Sequence, residues 1–306
     1  MKETQEAPVS GRNLGIIGLG TMAKPMCKSL IGAGYRVTVW GHSRSGIEEC
    51  VGYGAVAGAS AREVAERSDV VITMVNATAD LRQVVLGPNG VLEGARAGTV
   101  LIDMSTISPK ATKDIAAKLK EKGVMMLDAP VSGSDKEARE GTLSIMVGGP
   151  EQAFNDCLPV LKTLGKNVVY MGQENGLGQS MKLCNRVICD LNILAACEGL
   201  ALAAKTGLDM EKVYSVIKAG AAGSWWFENL GRKVLDRDLE SGETVVTERK
   251  YLQLVEETAD DLAVSMPGTS LVRQLYNAIE AMGLGEYGLQ SLIRAYEKLA
   301  EVQVKK

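Results

Sequence analysis

The stretch Leu14–Ala23 reads LGIIGLGTMA, an apolar run followed by small residues in the spacing Gly-x-Gly-x-x-Ala. The run predicts a buried strand, and the residues after it predict the start of a helix. In this context Gly18 permits a tight turn, Gly20 lets the backbone approach a pyrophosphate, and Ala23 lets the helix pack closely on the strand. The helix N-terminus offers N–H groups to phosphates. We therefore predict a dinucleotide-binding turn whose cofactor contacts are Gly18, Gly20, Thr21 and Met22.

Beyond this turn, short apolar runs alternate with segments of helical period as far as Gly172. This alternation is typical of parallel βαβ units, and strands that are apolar on both faces indicate helices on each side of the sheet. The predicted strands are Leu14–Ile17, Arg36–Trp40, Val70–Val75, Val100–Asp103, Val124–Ala129, Leu143–Val147 and Val168–Met171. Helices are predicted to begin near Met22, Ser60, Asp80 and Ser108.

From residue 175 onwards the pattern is helical, with a long segment over about 176–205, a second over 210–219, and others beginning near residues 224, 247, 270 and 290. A helix of about 30 residues spans roughly 45 Å, so we expect the long segment to join two domains. The predicted fold class is α/β, with an N-terminal Rossmann domain followed by an all-α C-terminal domain. The predicted bounds are a flexible tail over 1–12, a dinucleotide-binding domain over 13–174, and a helical substrate and dimerisation domain over 175–306.

The balance of charged residues argues against a nucleic-acid partner. The chain has 306 residues, with 34 Lys and Arg against 37 Asp and Glu, so it offers no strong basic field to a nucleic acid. The most apolar long segment, 187–204, is interrupted by Asp190, Asn192 and Glu198, which favours a core helix over a membrane span. The polar residues 1–12 lack the apolar segment of a signal peptide. We therefore predict a cytoplasmic protein with a small-molecule substrate, assembled as a homodimer or dimer-based oligomer through its helical half.

The second predicted strand ends in the turn Gly41–Ser45, which reads GHSRS. An NAD-specific site would carry Asp or Glu there to bind the ribose 2′-hydroxyl. Here no carboxylate repels a 2′-phosphate, and Arg44 is able to pair with one, which favours NADP(H) over NAD. We predict Ser43 and Arg44 as contacts to the cofactor. His42, the only histidine, lies on the same turn, which disfavours histidine acid/base catalysis and predicts no metal site.

Hydride transfer also needs a group that exchanges a proton with the substrate oxygen. The segment Gly176–Asn185, GLGQSMKLCN, carries Lys182 early on the long helix and Asn185 three residues later. A lysine at a helix start is more often a solvated charge. The segment Asp128–Ser134, DAPVSGS, changes this estimate, because a strand end running into such a turn offers N–H groups and a hydroxyl suited to a carboxylate.

These segments together resemble the β-hydroxyacid dehydrogenase family, which includes 3-hydroxyisobutyrate dehydrogenase, tartronate semialdehyde reductase, glyoxylate/succinic semialdehyde reductases and 6-phosphogluconate dehydrogenase. The resemblance rests on four blocks in order: 15–22; 103–109, DMSTISP; 128–133 with 141–149; and 176–185. It implies NADP(H)-dependent hydride transfer to or from a small β-hydroxyacid, aldehyde acid or keto acid.

The resemblance also implies roles for individual residues. Lys182 would be the general acid in reduction and the general base in oxidation, so oxidation is expected to rise towards alkaline pH. Asn185 would bond the reacting oxygen, and Ser132 and Gly133 would hold the substrate carboxylate. The remaining cofactor contacts are predicted at Thr106, beside the nicotinamide, at Lys250, which would close over the cofactor, and at Val75 and Asn76.

Three positions depart from the family pattern. Ser134 replaces a second glycine, Arg186 replaces an Asn or Gln, and Tyr251 replaces the Asp that commonly follows the lysine at 250. We predict Ser134 near the substrate, and Arg186 either as a second cation for a carboxylate or pointing to solvent. The segment 224–229, SWWFEN, resembles a branch that acts on acids such as threonate. It gives Trp225 as a candidate substrate contact, with an aromatic core anchor as the favoured alternative.

Two other functions remain open. The first is an NADPH-dependent imine reductase or reductive aminase on the same fold; such enzymes generally lack the lysine, so Lys182 favours the hydroxyacid interpretation. The second is a non-catalytic, dehydrogenase-like binding protein, a function that is also associated with loss of the lysine.

Overall fold

A computed structural model describes residues 11–306 and contains nine strands in that range. They are β1 (Asn13–Ile17), β2 (Arg36–Trp40), β3 (Val56–Ala57), β4 (Val70–Thr73), β5 (Val100–Asp103), β6 (Met125–Asp128), β7 (Val131–Ser132), β8 (Leu143–Gly148) and β9 (Gly165–Gly172). All seven predicted strands are therefore present, with ends that differ by a few residues. The sequence did not predict β3 and β7, because two residues are too few to show a period.

The strands form one sheet in the order β3-β2-β1-β4-β5-β6-β8-β7, with β9 also paired to β8. The six strands β1 to β6 are parallel to one another. In contrast, β8 runs antiparallel to both β6 and β7. The sheet is thus mixed at this end, where the sequence pattern predicted parallel units. The reason is the short connection from β7 to β8, which holds only a six-residue helix and is too short for a parallel crossover.

The strand side chains alternate between two apolar cores. Leu14 and Ile16 lie in one buried cluster, and Ile17 lies in another. The same alternation separates Val70 and Ile72 from Val71 on β4. Because successive residues of a strand point to opposite faces, the sheet is covered on both sides, as its apolar strands predict.

Eight helices cover or connect these strands: α1 (Ala23–Gly32), α2 (Arg44–Gly52), α3 (Ala61–Glu66), α4 (Thr78–Leu86), α5 (Val91–Gly94), α6 (Pro109–Glu121), α7 (Asp135–Glu140) and α8 (Glu151–Leu164). The four predicted helix starts match α1, α3, α4 and α6 to within two residues. At α6 the cap is explicit, because Ser108 accepts from the Ala111 N–H and Pro109 occupies the first turn. The sequence analysis gave no start for α2, α5, α7 or α8. The interior of α8 contains Pro159, a residue that ordinarily disfavours a helix.

The rest of the chain is helical, as predicted. It contains α9 (Leu177–Lys205), α10 (Met210–Ala219), α11 (Arg232–Asp236), α12 (Val245–Asp261), α13 (Pro267–Ala281) and α14 (Ile293–Ala300), with a π-helical turn at Phe227–Gly231 and a 3-10 turn at Leu289–Leu292. Tyr276, Leu252 and Val272 are fully buried in its core. An isolated antiparallel bridge joins Thr244 to Gly288, a small strand-like contact that the helical pattern did not predict.

The chain forms two compact units, and the division between them falls after Lys182, inside α9. The bounds 13–174 and 175–306 stay predictions. The predicted tail lies outside the described residues except for its last two positions, where Arg12 donates to the Asp156 carbonyl at 2.8 Å. By length and composition α9 is apolar enough to cross a membrane, but 44% of its most apolar part is buried inside the protein. Core helices of soluble proteins have the same character.

Candidate cofactor and catalytic site

The turn after β1 has the geometry that its glycines predict. Gly18 has φ +89° and donates its N–H to the Trp40 carbonyl at 3.0 Å. A Cβ atom at Gly18 would lie 2.2 Å from the Met74 carbonyl oxygen, so no larger residue fits without a backbone shift. At Gly20 a Cβ would meet nothing within 4 Å, and this glycine is exposed. The turn therefore combines a packed Gly18 with an open Gly20, as the approach of a pyrophosphate requires.

The N-terminus of α1 follows this turn directly. Met22, the residue before the helix, has helical backbone angles and makes no side-chain cap. Met22 thus offers no side-chain acceptor to the first N–H groups of α1, which is the arrangement that anion-binding helix starts show. Ala23 is fully buried where the helix packs on the sheet. The glycine turn and α1 together fit a dinucleotide pyrophosphate.

Alanine substitutions at two glycines with similar backbone angles test the role of this turn. Gly18→Ala is expected to destabilise the fold by about 2 to 4 kcal/mol, because it combines a positive φ with a backbone clash, and to raise the dissociation constant for NADPH. Gly34 has nearly the same φ, +91°, but a Cβ there would meet nothing within 4 Å. Gly34→Ala should therefore show only the conformational cost, about 1 to 2 kcal/mol. Chemical unfolding and cofactor titration of both variants make the comparison; equal losses would contradict a special role for Gly18.

The turn after β2 packs against the glycine turn. A Cβ at Gly46 would lie 2.9 Å from the Leu19 carbonyl oxygen, which shows how closely the two backbones approach. Ser43 caps α2 by accepting from the Gly46 N–H at 3.2 Å. The Arg44 side chain is 92% exposed and reaches Glu48 at 2.9 Å, and His42 lies edge-on to Trp40 at 5.2 Å. Ser43 and Arg44 thus follow the carboxyl end of β2, where the sequence predicts the ribose of the cofactor.

A buried hydrogen-bond network joins the ends of β4 and β5. Thr73 and Ser105 donate their hydroxyl groups to the same oxygen of Asp103 at 2.8 and 2.7 Å, and Ser105 accepts from the Val75 N–H at 2.9 Å. Burial raises the pKa of Asp103 to about 7, although these hydrogen bonds oppose the shift. The network fixes Val75, with Asn76 exposed next to it, relative to the loop that carries Thr106.

The start of α9 is bound to the end of β6. Asp128 accepts from the Gly176 N–H at 2.7 Å and from the Gln179 N–H at 3.0 Å. Burial raises the pKa of Asp128, and the two N–H donors lower it. Farther along the same helix, Lys182 is only 5% exposed. The alternative interpretation of Lys182 as a solvated surface charge is therefore wrong, whereas its catalytic role stays a prediction.

The turn after β7 contains the residues predicted to hold a carboxylate. Ser132 is half-buried, and Gly133 is exposed with φ +138°. Ser134 caps α7, since its hydroxyl and its N–H both contact the Glu137 carboxylate, at 2.5 and 2.7 Å, and its hydroxyl accepts from the Lys136 N–H. This capping box explains a serine where the family commonly has glycine. A contact of Ser134 with substrate stays a prediction.

The second unit holds the remaining predicted residues. Asn185 is half-buried, and its side-chain oxygen lies 3.7 Å from the Cys189 thiol. Lys250 is exposed on α12. Trp225 is 64% exposed and lies edge-on to Trp226 at 5.1 Å. The segment 224–229 is therefore an aromatic core anchor, as favoured, but through Phe227, with Trp226 packed against the same cluster, and not through Trp225.

Arg186 forms the centre of a charged cluster inside the second unit. Its guanidinium contacts both oxygens of Glu243 at 2.6 Å and one oxygen of Glu248 at 2.9 Å, and lies 4.9 Å from the ring centre of Tyr251. Asp190 is buried beside Glu248. Burial lowers the pKa of Arg186, but the charges of Glu248 and Glu243 outweigh it and leave the pKa raised. The solvent-pointing alternative for Arg186 is wrong; a contact with substrate stays a prediction.

Sequence reasoning missed the residues that support the site. Asp103 and Asp128 each end an otherwise apolar strand, and a carboxylate in that place was the available signal. Gln179, Glu243 and Glu248 gave no signal, since their partners lie far away in sequence. Within the described residues, no group of three or more His, Cys, Asp or Glu side chains is arranged to hold a metal.

The glycine turn at the carboxyl ends of the parallel strands and the helix start that follows it are the features of a dinucleotide-binding domain. Two family models agree: residues 13–172 match the NAD binding domain of 6-phosphogluconate dehydrogenase, and residues 176–296 match the NAD-binding model of NADP-dependent 3-hydroxyisobutyrate dehydrogenase. The chain belongs to the β-hydroxyacid dehydrogenase family.

Relatives cover nearly the whole chain. The 2-hydroxy-3-oxopropionate reductase of Escherichia coli K12 is 39% identical over 289 residues, which are 94% of this chain and 98% of the relative. A solved 3-hydroxyisobutyrate dehydrogenase of Salmonella typhimurium gives a TM-score of 0.82 at 32% identity, covering 93% of this chain and 99% of that one. An imine reductase of Streptomyces aurantiacus, at 22% identity and a TM-score of 0.62, covers 94% of this chain and 99% of that one. This last likeness shows the fold alone.

Proposed function

We propose that the protein is an NADP(H)-dependent dehydrogenase or reductase that transfers a hydride between the nicotinamide and a small β-hydroxyacid, aldehyde acid or keto acid. The observation that carries this proposal is the burial of Lys182 on a helix whose start is bonded to the strand end at Asp128. A lysine held out of water, on the unit that contains the glycine turn, is suited to proton transfer rather than to solubility.

Each predicted cofactor contact has a role in this proposal. Gly18, Gly20, Thr21 and Met22 hold the pyrophosphate, and Val75, Asn76 and Thr106 border the nicotinamide half. Ser43 and Arg44 hold the 2′-phosphate, and Lys250 covers the cofactor. When bound, the cofactor supplies the hydride in reduction and accepts it in oxidation.

Lys182 donates or accepts the proton that accompanies the transfer of the hydride. In reduction its ammonium donates a proton to the carbonyl oxygen while the carbonyl carbon gains the hydride, which gives the alcohol and a neutral lysine. In oxidation the neutral amine takes the hydroxyl proton as the hydride leaves the carbon. Asn185 donates a hydrogen bond to the same oxygen, so Lys182 and Asn185 are the proposed catalytic residues.

The substrate carboxylate is assigned to the turn after β7. Ser132 offers a hydroxyl and Gly133 a backbone N–H there, and Ser134 and Trp225 are the proposed flanking contacts. Arg186 would reach a substrate only in exchange for the Glu243 carboxylate that it already contacts.

The second candidate function is imine reduction, for which the shared fold is the only support. A substrate panel tests the choice: glyoxylate, succinic semialdehyde and 2-hydroxy-3-oxopropionate against cyclic imines, each with NADPH. We expect turnover of at least one aldehyde acid and none of the imines; the reverse result would assign the protein to imine reduction. NADPH binding without turnover of any compound would indicate a non-catalytic binding protein.

The location and assembly of the protein are also proposals. We place it in the cytoplasm and expect a homodimer or a dimer-based oligomer. The second unit exposes large apolar side chains, among them Ile188, Leu202 and Val216, and a self-complementary contact would cover such residues.

Arg44 is expected to set the preference for NADPH over NADH. Arg44→Ala should raise KM for NADPH about 10-fold and leave KM for NADH unchanged, because a hydrogen bond to a charged group contributes about 1.5 kcal/mol or more and solvent weakens this exposed one. Steady-state kinetics with both cofactors measure the effect. Arg67→Ala removes another exposed arginine, one that pairs with Glu63, and serves as control. Equal changes for both cofactors would argue against a 2′-phosphate contact.

A further inference from the structure

The side-chain amide of Gln179 bonds to the backbone on both sides of Thr106. Its Nε2 donates to the Ser105 carbonyl at 2.8 Å, and its Oε1 accepts from the Ile107 N–H at 3.1 Å. Nε2 also lies 3.5 Å from the outer oxygen of Asp103. Gln179 is fully buried, so these contacts are shielded from competing water. A single amide thus holds the two peptide groups that flank a predicted neighbour of the nicotinamide.

Gln179 also belongs to a helix start that is bonded directly to the sheet. Its N–H donates to Asp128. The backbone itself is in close contact there: a Cβ at Gly178 would lie 2.4 Å from the Met146 carbonyl oxygen, and one at Gly148 would lie 2.8 Å from the Gly178 N atom. The first turn of α9 can therefore shift on β6 and β8 only if these contacts break.

Lys182 follows Gln179 by three residues on the same helix, so the two side chains lie within one turn of each other. We propose that Gln179 is a positioning residue that fixes the Thr106 loop relative to the helix turn that carries Lys182. Asp103, held by Thr73 and Ser105, supports the same loop from the other side. The inference rests on the proposed function for its catalytic consequence, whereas its structural consequence is independent of any activity.

Gln179→Met tests the inference, because methionine has a similar length and shape but neither donates nor accepts as an amide does. Two results are expected. Amide hydrogen exchange at Ile107, measured without cofactor, should become about 10-fold faster, since one hydrogen bond is lost. With an accepted substrate, kcat should fall about 100-fold while the dissociation constant for NADPH stays the same, because a small misplacement of reacting groups has an effect of this size. Gln173→Met, at an exposed position on the preceding loop, is the matched control.

Gln179→Glu adds a readout that a purely structural role would not change, and it carries the test if the methionine variant does not fold. The glutamate keeps an acceptor for Ile107 but opposes the Ser105 carbonyl and the titratable Asp103 carboxyl group until it is protonated. Its kcat relative to wild type should therefore recover as the pH falls from alkaline to mildly acidic. Unchanged exchange at Ile107, or a kcat equal to wild type in a folded variant, would overturn the inference. Inactive wild-type protein with faster exchange in the variant would instead reject the proposed function and leave the positioning of the loop established.

Discussion

Lys182→Ala is expected to lower kcat by about 100- to 10,000-fold, the range over which a positioned acid or base contributes to catalysis. The reason is that the carbonyl oxygen would then have to take its proton from water. KM for NADPH should change little, because Lys182 is assigned to the substrate oxygen and the phosphates are assigned to the glycine turn. Steady-state kinetics of aldehyde-acid reduction provide the measurement.

Two controls make this result interpretable. Lys136→Ala removes an exposed lysine of α7 and should leave kcat unchanged. Chemical unfolding of Lys182→Ala should show a cooperative transition, which excludes a loss of activity through misfolding. A kcat within a few-fold of wild type would reject Lys182 as the acid/base group.

Arg186→Met is expected to lower the free energy of unfolding by about 3 to 5 kcal/mol. Arg186 is 6% exposed and pairs with both Glu243 and Glu248. Removing one partner of a buried ion pair leaves the other charge without compensation, which is far more costly than losing a surface pair. Arg139→Met breaks the exposed pair with Asp135 and should lower the free energy of unfolding by less than about 1 kcal/mol.

The loss in Arg186→Met should also depend on pH. Burial raises the pKa of Asp190, and Arg186 opposes that shift, so the folded variant binds protons more strongly than the unfolded chain. A carboxyl group whose folded pKa is raised contributes less stability as the pH rises above its unfolded pKa. The difference from wild type should therefore be larger at pH 8 than at pH 5. A loss below 1 kcal/mol at both pH values would contradict a structural role for the Arg186 cluster.

The sequence predicts much of the fold because the relevant signals are local. The strand that precedes Gly18 and the helix at Met210–Ala219 show their period over adjacent residues, and the structure has both. The strand β8 was predicted but its antiparallel direction was not, because strand direction depends on the length of a connection whose short helix gives little periodic signal. The helix α8 was not predicted because Pro159 in its interior locally disfavours a helix. In the folded chain, tertiary packing overrides this local preference.

Some residues of the candidate site could also be predicted from local sequence, whereas others are recognised only in the folded structure. Gly18, Gly20 and Lys182 stand in recognisable spacing, so their types indicate their chemistry. Gln179 could not be assigned, because its partners at residues 105 and 107 are more than 70 positions away. The segment 224–229 anchors the core as expected, but neighbouring aromatic residues carry the same signal, so the sequence did not show that Phe227 rather than Trp225 enters the core. Supporting contacts of this kind become visible only when the chain is folded.

The transfer of deuterium to an aldehyde acid from NADPH that carries deuterium at both C4 positions tests the central claim most directly. Wild-type protein should convert glyoxylate, succinic semialdehyde or 2-hydroxy-3-oxopropionate to a hydroxyacid that carries one deuterium at the former carbonyl carbon, and Lys182→Ala should form that product far more slowly. Absence of labelled hydroxyacid from wild-type protein that binds NADPH, or equal rates of labelling in both proteins, would contradict the account.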